Sequence, residues 1–359
     1  MWPYWFMFLV PALLAIQAAR HRVAIRTGMR SLAVPVSWLL AGLVTAVLVG
    51  WRYEVGGDWT TYIAILRDTT RWDLATALEF GDPGYQLLNW YAADLGLSIY
   101  SVNFVSGLIF AAGLVVFCRS LPRPWLALAV AVPYLVIVVA MGYTRQSVAL
   151  GLAMLGLVAL GRRRLRYFIL FTVLAATFHK SAVLLLPIAA LAATRNRLAA
   201  ALWVGVITAG AYYLLLEDAA ESLYTNYVLA GYESQGALIR LVMNALPAVI
   251  LIVFHRRFEF VRSEQRLWMW FSIISLVLLA VYFVSPSSTA VDRVALYMLP
   301  LQLVVFSHLP DVLGRRGGRN DAVVAGVVVY YAAVLFVWLN YAGHAFAWVP
   351  YQFYPLVAD

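Results

Sequence analysis

A chain of 359 residues that is 64% hydrophobic and only 12% charged carries far more apolar side chain than a water-soluble core can hide, so lipid must solvate most of it. Its net charge of +9 comes from arginines in short loops between apolar runs, not from one basic domain interleaved with aromatics, which excludes nucleic acid as the partner. The single cysteine, Cys118, excludes an internal disulfide and a thiolate metal cluster.

Apolar runs of about 17 to 25 residues, each long enough to cross a hydrocarbon layer of roughly 30 Å as a helix, begin near residues 4, 33, 100, 125, 146, 198, 238, 267, 294 and 322. The first follows Met1-Trp2-Pro3-Tyr4-Trp5, has no basic leader and is succeeded by Arg20, Arg22, Arg26 and Arg30, so it reads as a retained span. Arginine-rich loops at 20–30, 119–123, 161–166, 195–197, 255–266 and 315–319 mark one side as cytoplasmic. Acids collect opposite, in 52–97 and in 217–233, the latter without Lys or Arg. The stretch 167–193 lies between two basic loops. Loop charge favours a hairpin of two short helices turning at Phe178-His179-Lys180-Ser181, with one long tilted helix as the alternative. The expected fold is all-α. A single membrane domain over 1–359 has about twelve transmembrane helices, some short or re-entrant, and both termini outside. An external segment at 52–97 carries short amphipathic helices.

The scarce polar residues of the outward side are the site candidates. Lys180, the only lysine, follows His179 in apolar sequence, where ionisable groups are costly and face a cavity; snorkelling from a hairpin tip is the plain structural account. Arg145 and Gln146 open a helix after Tyr143-Thr144, where N–H groups and a guanidinium suit an anion, although an interfacial anchor needs no ligand. Asp292 and Arg293 open another outward helix end, with Tyr297 one turn on, and an adjacent acid and base are equally able to neutralise each other. In the segment from Arg52 and Glu54 through Gly56-Gly57-Asp58 to Tyr62, the glycines permit positive φ or close approach, and Asp58 is placed to cap the next helix. Glu217 and Asp218 fall on the same side. Cations with a few carboxylates beside lipid suit a lipid-linked phosphate or diphosphate.

In order and spacing these elements resemble the EpsG family of Wzy-type bacterial polysaccharide polymerases. The pattern is Arg52, Asp58 and Tyr62 after the second span, the acidic-Gly-Tyr element Asp82-Pro83-Gly84-Tyr85, the pair Arg145-Gln146, the run Phe178-His179-Lys180-Ser181, and Arg293 with Tyr297. Together they cover about residues 50 to 300. The scarcity of lysine departs from many relatives without touching these positions. The resemblance implies a metal-independent glycosyltransferase of GT-C type at the periplasmic face of the bacterial inner membrane, serving exopolysaccharide or O-antigen biosynthesis. It would move a growing chain from polyprenyl (undecaprenyl) diphosphate onto the non-reducing end of a lipid-linked oligosaccharide repeat. A separate chain-length regulator is implied by the family alone, and related members include ligases.

A sugar C1 bonded to diphosphate has an acidic leaving group, so the reaction asks for charge stabilisation. Arg145, Arg293 and Lys180 supply it, with Arg52 a weaker candidate, and no cofactor or metal is called for. The attacking hydroxyl asks for a base: His179 first, Asp58 second, with Lys180 keeping the imidazole neutral. Attack opposite the leaving group inverts the anomeric centre. Tyr62, Tyr85, Tyr143 and Trp59 are expected to stack on sugar faces, and Gln146, Asp292, Tyr297 and Glu54 to line the glycan. Two rival classes remain: a transporter or flippase of lipid-linked glycan, which predicts structural repeats, and a membrane-bound glycan acyltransferase, which predicts acylation without chain extension.

Overall fold

The computed structural model describes residues 1–19, 34–188, 202, 205–206, 236–285 and 287–357. The loops expected at 20–30 and 195–197, the span expected near 198, and Glu217 with Asp218 lie outside the described residues.

Two apolar helices, α1 (Trp2–Ala19) and α2 (Val36–Gly50), precede a two-residue strand β1 (Arg52–Tyr53). The expected external segment then folds as three short helices, α3 (Trp59–Thr69), α4 (Leu74–Glu79) and α5 (Pro83–Asp94). Local chemistry sets their starts: the Thr76 N–H donates to the Asp73 side chain at 2.9 Å, and Pro83, with no N–H to leave unpaired, stands in the first turn of α5. The long helix α6 (Ile99–Ser120) is followed by α7 (Pro124–Ala131), which continues as a π-helix over Val132–Ala140. Next come α8 (Thr144–Gly161), α9 (Leu165–Phe178) and a 3-10 turn at Lys180–Leu185. The remaining helices are α10 (Ala237–Phe254), α11 (Arg262–Tyr282), α12 (Ser288–Ala295), α13 (Pro300–Leu313) and α14 (Asp321–Tyr341). Near the chain end β2 (Gln352–Phe353) pairs antiparallel with β1, Arg52 opposite Phe353 and Tyr53 opposite Gln352, a small exception to the all-α expectation.

Six described helices are long and apolar enough to cross a membrane, or seven if Ser288–Met298 and Pro300–Leu313, bent by 43°, form one broken span. Three more apolar helices are shorter: Val36–Gly50, Pro124–Ala140 and Leu165–Phe178. The described helices therefore fall short of the expected twelve. Helices are shorter than the apolar runs that contain them: Pro35 stands outside α2 in an extended conformation, and α9 stops at Phe178. Of the stretch 167–193, expected as a hairpin, the structure shows the helix break at extended His179 (φ −156°, ψ 112°) and a 3-10 turn after it; residues beyond 188 lie outside the described residues.

Loop contacts sort the two ends of the bundle. At one end Arg123 donates to Asp311 (2.8 Å) and to the Gly318 carbonyl (3.0 Å), Arg316 pairs with Glu259 (2.6 Å), and Arg257 reaches the Val312 carbonyl (3.5 Å). At the other, Arg52 meets Thr144, the Gly56 N–H meets the Ala347 carbonyl, and the Tyr4 hydroxyl meets the Trp348 carbonyl. These arginine-rich loops thus share an end, and the segments that hold Tyr4 and Trp348 lie together at the opposite one. Between the ends, α6 and α8 cross where Gly113 faces Gly151 with no room for a Cβ, the close backbone approach that packing in lipid favours. A second, smaller core of Trp59, Tyr62, Tyr85, Ala92, Ile99 and Val102, with Phe178 against it, seats α3 and α5 on α6 and the end of α9.

Candidate active site

Five separated segments meet at the end of the bundle opposite the arginine-rich loops. The first carries Arg52, which is completely buried. Its Nε donates to the Val55 carbonyl (3.0 Å), Nη1 to the Val49 carbonyl and Nη2 to Thr144 Oγ1 (2.8 Å), and its guanidinium lies 5.8 Å from the Trp59 ring centre. Arg52, expected as a weak diphosphate ligand, thus spends its nitrogens inside the protein, tying its own loop to the start of α8. Six residues on, Asp58 stands at the N-cap of α3 but makes no capping bond. Its carboxylate instead faces Tyr62, Arg293 and Arg145; burial pushes its pKa up, and the two guanidiniums and then Tyr62 partly offset this. Gly56, at φ +108°, supplies the left-handed turn that the Gly-Gly pair permits.

The second segment is the turn before α5. Asp82 also occupies an N-cap without capping, and its side chain crosses to α8, where Arg145 Nη1 donates to Oδ2 at 2.8 Å. Its other oxygen accepts the Lys180 N–H at 3.3 Å. Gly84 makes this approach possible, since a Cβ there would stand 2.5 Å from Thr177 Oγ1 and 3.1 Å from the Phe178 ring. Burial raises the Asp82 pKa, and Arg145 and then Lys180 oppose the rise.

The third and fourth segments are the opening of α8 and the last turn of α12, where Asp292 and Arg293 stand, not at a helix opening as expected. Gln146 is fully buried; its Nε2 donates to the Arg293 carbonyl (2.8 Å), and its Oε1 accepts from Arg293 Nη1 (3.2 Å). The Arg293 guanidinium lies 4.8 Å from the centre of the Tyr143 ring. The fifth segment is the break after α9. Ser181 Oγ stands 2.6 Å from His179 Nδ1 and donates to the Tyr297 hydroxyl at 3.4 Å. His179 lies in this turn outside the helices, and burial first, then Arg293 and Arg145, hold its pKa well below the ordinary histidine range.

The family's sequence pattern matches residues 36–353, from the start of α2 to the end of β2. This chain belongs to the EpsG family. That family is Wzy-type polymerase-like, so the chain carries a polysaccharide polymerase-like function, and every motif residue discussed lies within the match. No curated protein and no solved structure matches the chain.

Within this EpsG-family chain the expected site residues divide. Asp58, Arg145, His179, Lys180 and Arg293 come together around Asp82, three lysine or arginine cations against two carboxylates. Gln146 and Tyr297, expected along a glycan, are instead buried supports of Arg293 and Ser181. Tyr62 and Tyr85 are buried and packed edge to face 5.6 Å apart, so their rings build the small core beneath the site. Tyr143 gives its ring face to Arg293. Glu54 is exposed, at φ 50°. Asp292 does not pair with its neighbour Arg293: its two oxygens take Arg240 Nε and Nη2 at 2.5 and 2.6 Å. Sequence reasoning missed Asp82 and Arg240 as partners. Asp82 sat in a motif but read as a turn residue beside Pro83 and Gly84, and Arg240 read as the start of an apolar span.

The arrangement is suited to an anion flanked by a nucleophile. Arg145 Nε is buried without a partner, the Lys180 ammonium makes no hydrogen bond or ion pair among the described residues, and Arg293 makes no ion pair with a carboxylate there. A partly buried cation surplus of this kind suits phosphate oxygens, through charge-assisted hydrogen bonds.

Proposed function

We propose that this protein is a glycosyltransferase of GT-C type at the outer, periplasmic face of a bacterial inner membrane. It transfers a glycan chain from polyprenyl (undecaprenyl) diphosphate onto a hydroxyl of a lipid-linked oligosaccharide repeat. The observation that carries this reading is the meeting of Arg145, Arg293 and the His179-Lys180 turn, from three distant segments, at one partly buried cluster.

Arg145, Arg293 and Lys180 bind the diphosphate and stabilise charge as the bond from C1 to the phosphate oxygen breaks. That bond's electrons leave with the lipid diphosphate. The acceptor oxygen forms the new bond to C1 from the opposite face, and its proton passes to a base. His179 fits this role through Nε2. When Nδ1–H donates to Ser181 Oγ, the Ser181 hydroxyl is left to donate to Tyr297, and Nε2 keeps its lone pair. Asp58 is the second candidate base, and both carry the proton until it exchanges with solvent.

Purified protein in lipid nanodiscs, given one lipid-linked repeat, is expected to produce a ladder of longer glycans, and Arg145→Ala, Arg293→Ala and His179→Ala to lose it. Full polymer length and rate in all three variants would remove the site assignment. Movement of the repeat across a vesicle wall without a ladder identifies a transporter, and acylated repeat without extension an acyltransferase.

A further inference from the structure

We propose that the Asp82 carboxylate is an internal anion that holds, in the empty enzyme, the place on Arg145 that a diphosphate takes in the loaded one. The proposal rests on the function proposed for this site and adds a residue to it. Asp82 is the first residue before a helix, where a side chain ordinarily turns back to its own N–H groups, and it does not do so. One carboxylate oxygen takes a guanidinium N–H 63 residues away, and the other takes the backbone N–H of Lys180. A phosphate group bridging an arginine and a turn N–H would make the same two contacts. Asp82 is only 7% exposed, so a charge on it stands there at a desolvation cost that Arg145 and then Lys180 oppose in part.

The site also has capacity for exchange. Arg145 holds Asp82 through one nitrogen while its buried Nε has no partner. The Lys180 ammonium stands near Asp82 without bonding it. A diphosphate, with at least two negative charges, satisfies Arg145, Lys180 and Arg293 together, where Asp82 satisfies one cation and one N–H. On binding, Arg145 exchanges one anion for the other, and Asp82 is left with the Lys180 N–H. In this account Asp82 is a positioning residue. It keeps the clamp assembled when empty and lowers the affinity of the site for the diphosphate, so that the spent lipid diphosphate leaves.

A purely structural ion pair between α5 and α8 predicts the opposite sign. If Asp82 only braces the site, its removal loosens Arg145 and weakens anion binding. The test measures inorganic diphosphate binding to the full-length protein in nanodiscs, wild type beside Asp82→Asn, Asp82→Ser and Asp58→Asn. Exchange predicts binding tighter by on the order of tenfold in both Asp82 variants, from removal of a competing charge-assisted hydrogen bond. Asp58→Asn removes an equal charge that faces Arg293 and Arg145 but accepts no hydrogen bond from Arg145, so it is expected to tighten binding by less than the Asp82 variants do. In the wild type, an infrared difference spectrum on adding diphosphate is expected to show a carboxylate band that shifts and that vanishes in Asp82→Asn. Unchanged or weaker binding in the folded Asp82 variants, equal tightening in Asp58→Asn, no diphosphate binding at all, or no such band overturns the proposal. Tightening without a glycan ladder from the wild type leaves the exchange standing and removes the polymerase reading. A ladder without tightening does the reverse.

Discussion

Trp348 closes directly on Gly142: its indole occupies the space in which a Cβ at residue 142 would stand. The indole Nε1 also donates to the Ile137 carbonyl at 2.9 Å, inside the π-helical stretch, where the wider turn changes the normal pairing of helix carbonyls. The same tail holds the Asp58 loop, since the Gly56 N–H donates to the Ala347 carbonyl and the Tyr354 N–H to the Trp51 carbonyl, both at 2.8 Å. The break that presents Tyr143 and Arg145 and the loop that presents Asp58 are therefore strapped together by residues near the end of the chain.

Gly142→Ala is expected to destabilise the protein by about 1–3 kcal/mol, the cost of forcing a methyl group into a filled site, and to reduce polymer yield with it. Thermal unfolding in nanodiscs alongside the ladder assay checks this. A variant as stable and active as wild type would show that Trp348 moves aside without consequence.

Gln146 touches the diphosphate cations only through Arg293, yet Gln146→Ala is expected to slow transfer by about 10- to 100-fold. It removes the acceptor that aims a charged guanidinium, a bond worth about 1.5–3 kcal/mol. Steady-state kinetics with saturating lipid-linked repeat reads the effect in kcat. A change confined to KM would place Gln146 on the substrate instead.

Asp58 and Asp82 both have their pKa raised by burial, so protonation, not ionisation, is favoured by folding. Between the ordinary aspartate value of about 3.9 and the raised native values, the native state holds more protons than the unfolded one. Their contribution to stability is thus full below the ordinary value and is lost as pH rises through the native values. The Tm of Asp82→Asn is expected to fall less steeply than wild type as pH rises through that window. Parallel curves for the two proteins would contradict the assignment. Transfer should fail on the acid side of the same window, because both carboxylates then lose the charge that organises the clamp.

The Arg240–Asp292 pair joins α10 to α12 with side chains only 11% and 7% exposed. Arg240→Ala is expected to cost about 3–5 kcal/mol by leaving Asp292 without this cation, whereas the double change Arg240→Met with Asp292→Leu recovers most of it. Chemical or thermal unfolding of the three proteins tests this, and a double variant no better than the single would show that the pair has a role apolar packing does not replace.

The membrane character, the gathering of arginine-rich loops at one end and the motif residues of the site were legible in the sequence. Each is set by the local contrast between lipid and water, which a linear pattern of apolar runs and loop charges records. Partners were not legible. Arg52 looked like a ligand and is spent on Val49, Val55 and Thr144; Asp58 and Asp82 looked like helix caps and cap nothing; Asp292 looked paired with its neighbour and is held by Arg240. The long-range bonds among these, from Arg52 to Thr144, Asp82 to Arg145 and Lys180, and Asp292 to Arg240, join residues 52 to 98 positions apart at 2.5 to 3.3 Å. No periodicity encodes which buried charge will find which cation. That choice is made only when packing fixes the distances, because desolvation makes every unpaired alternative costly.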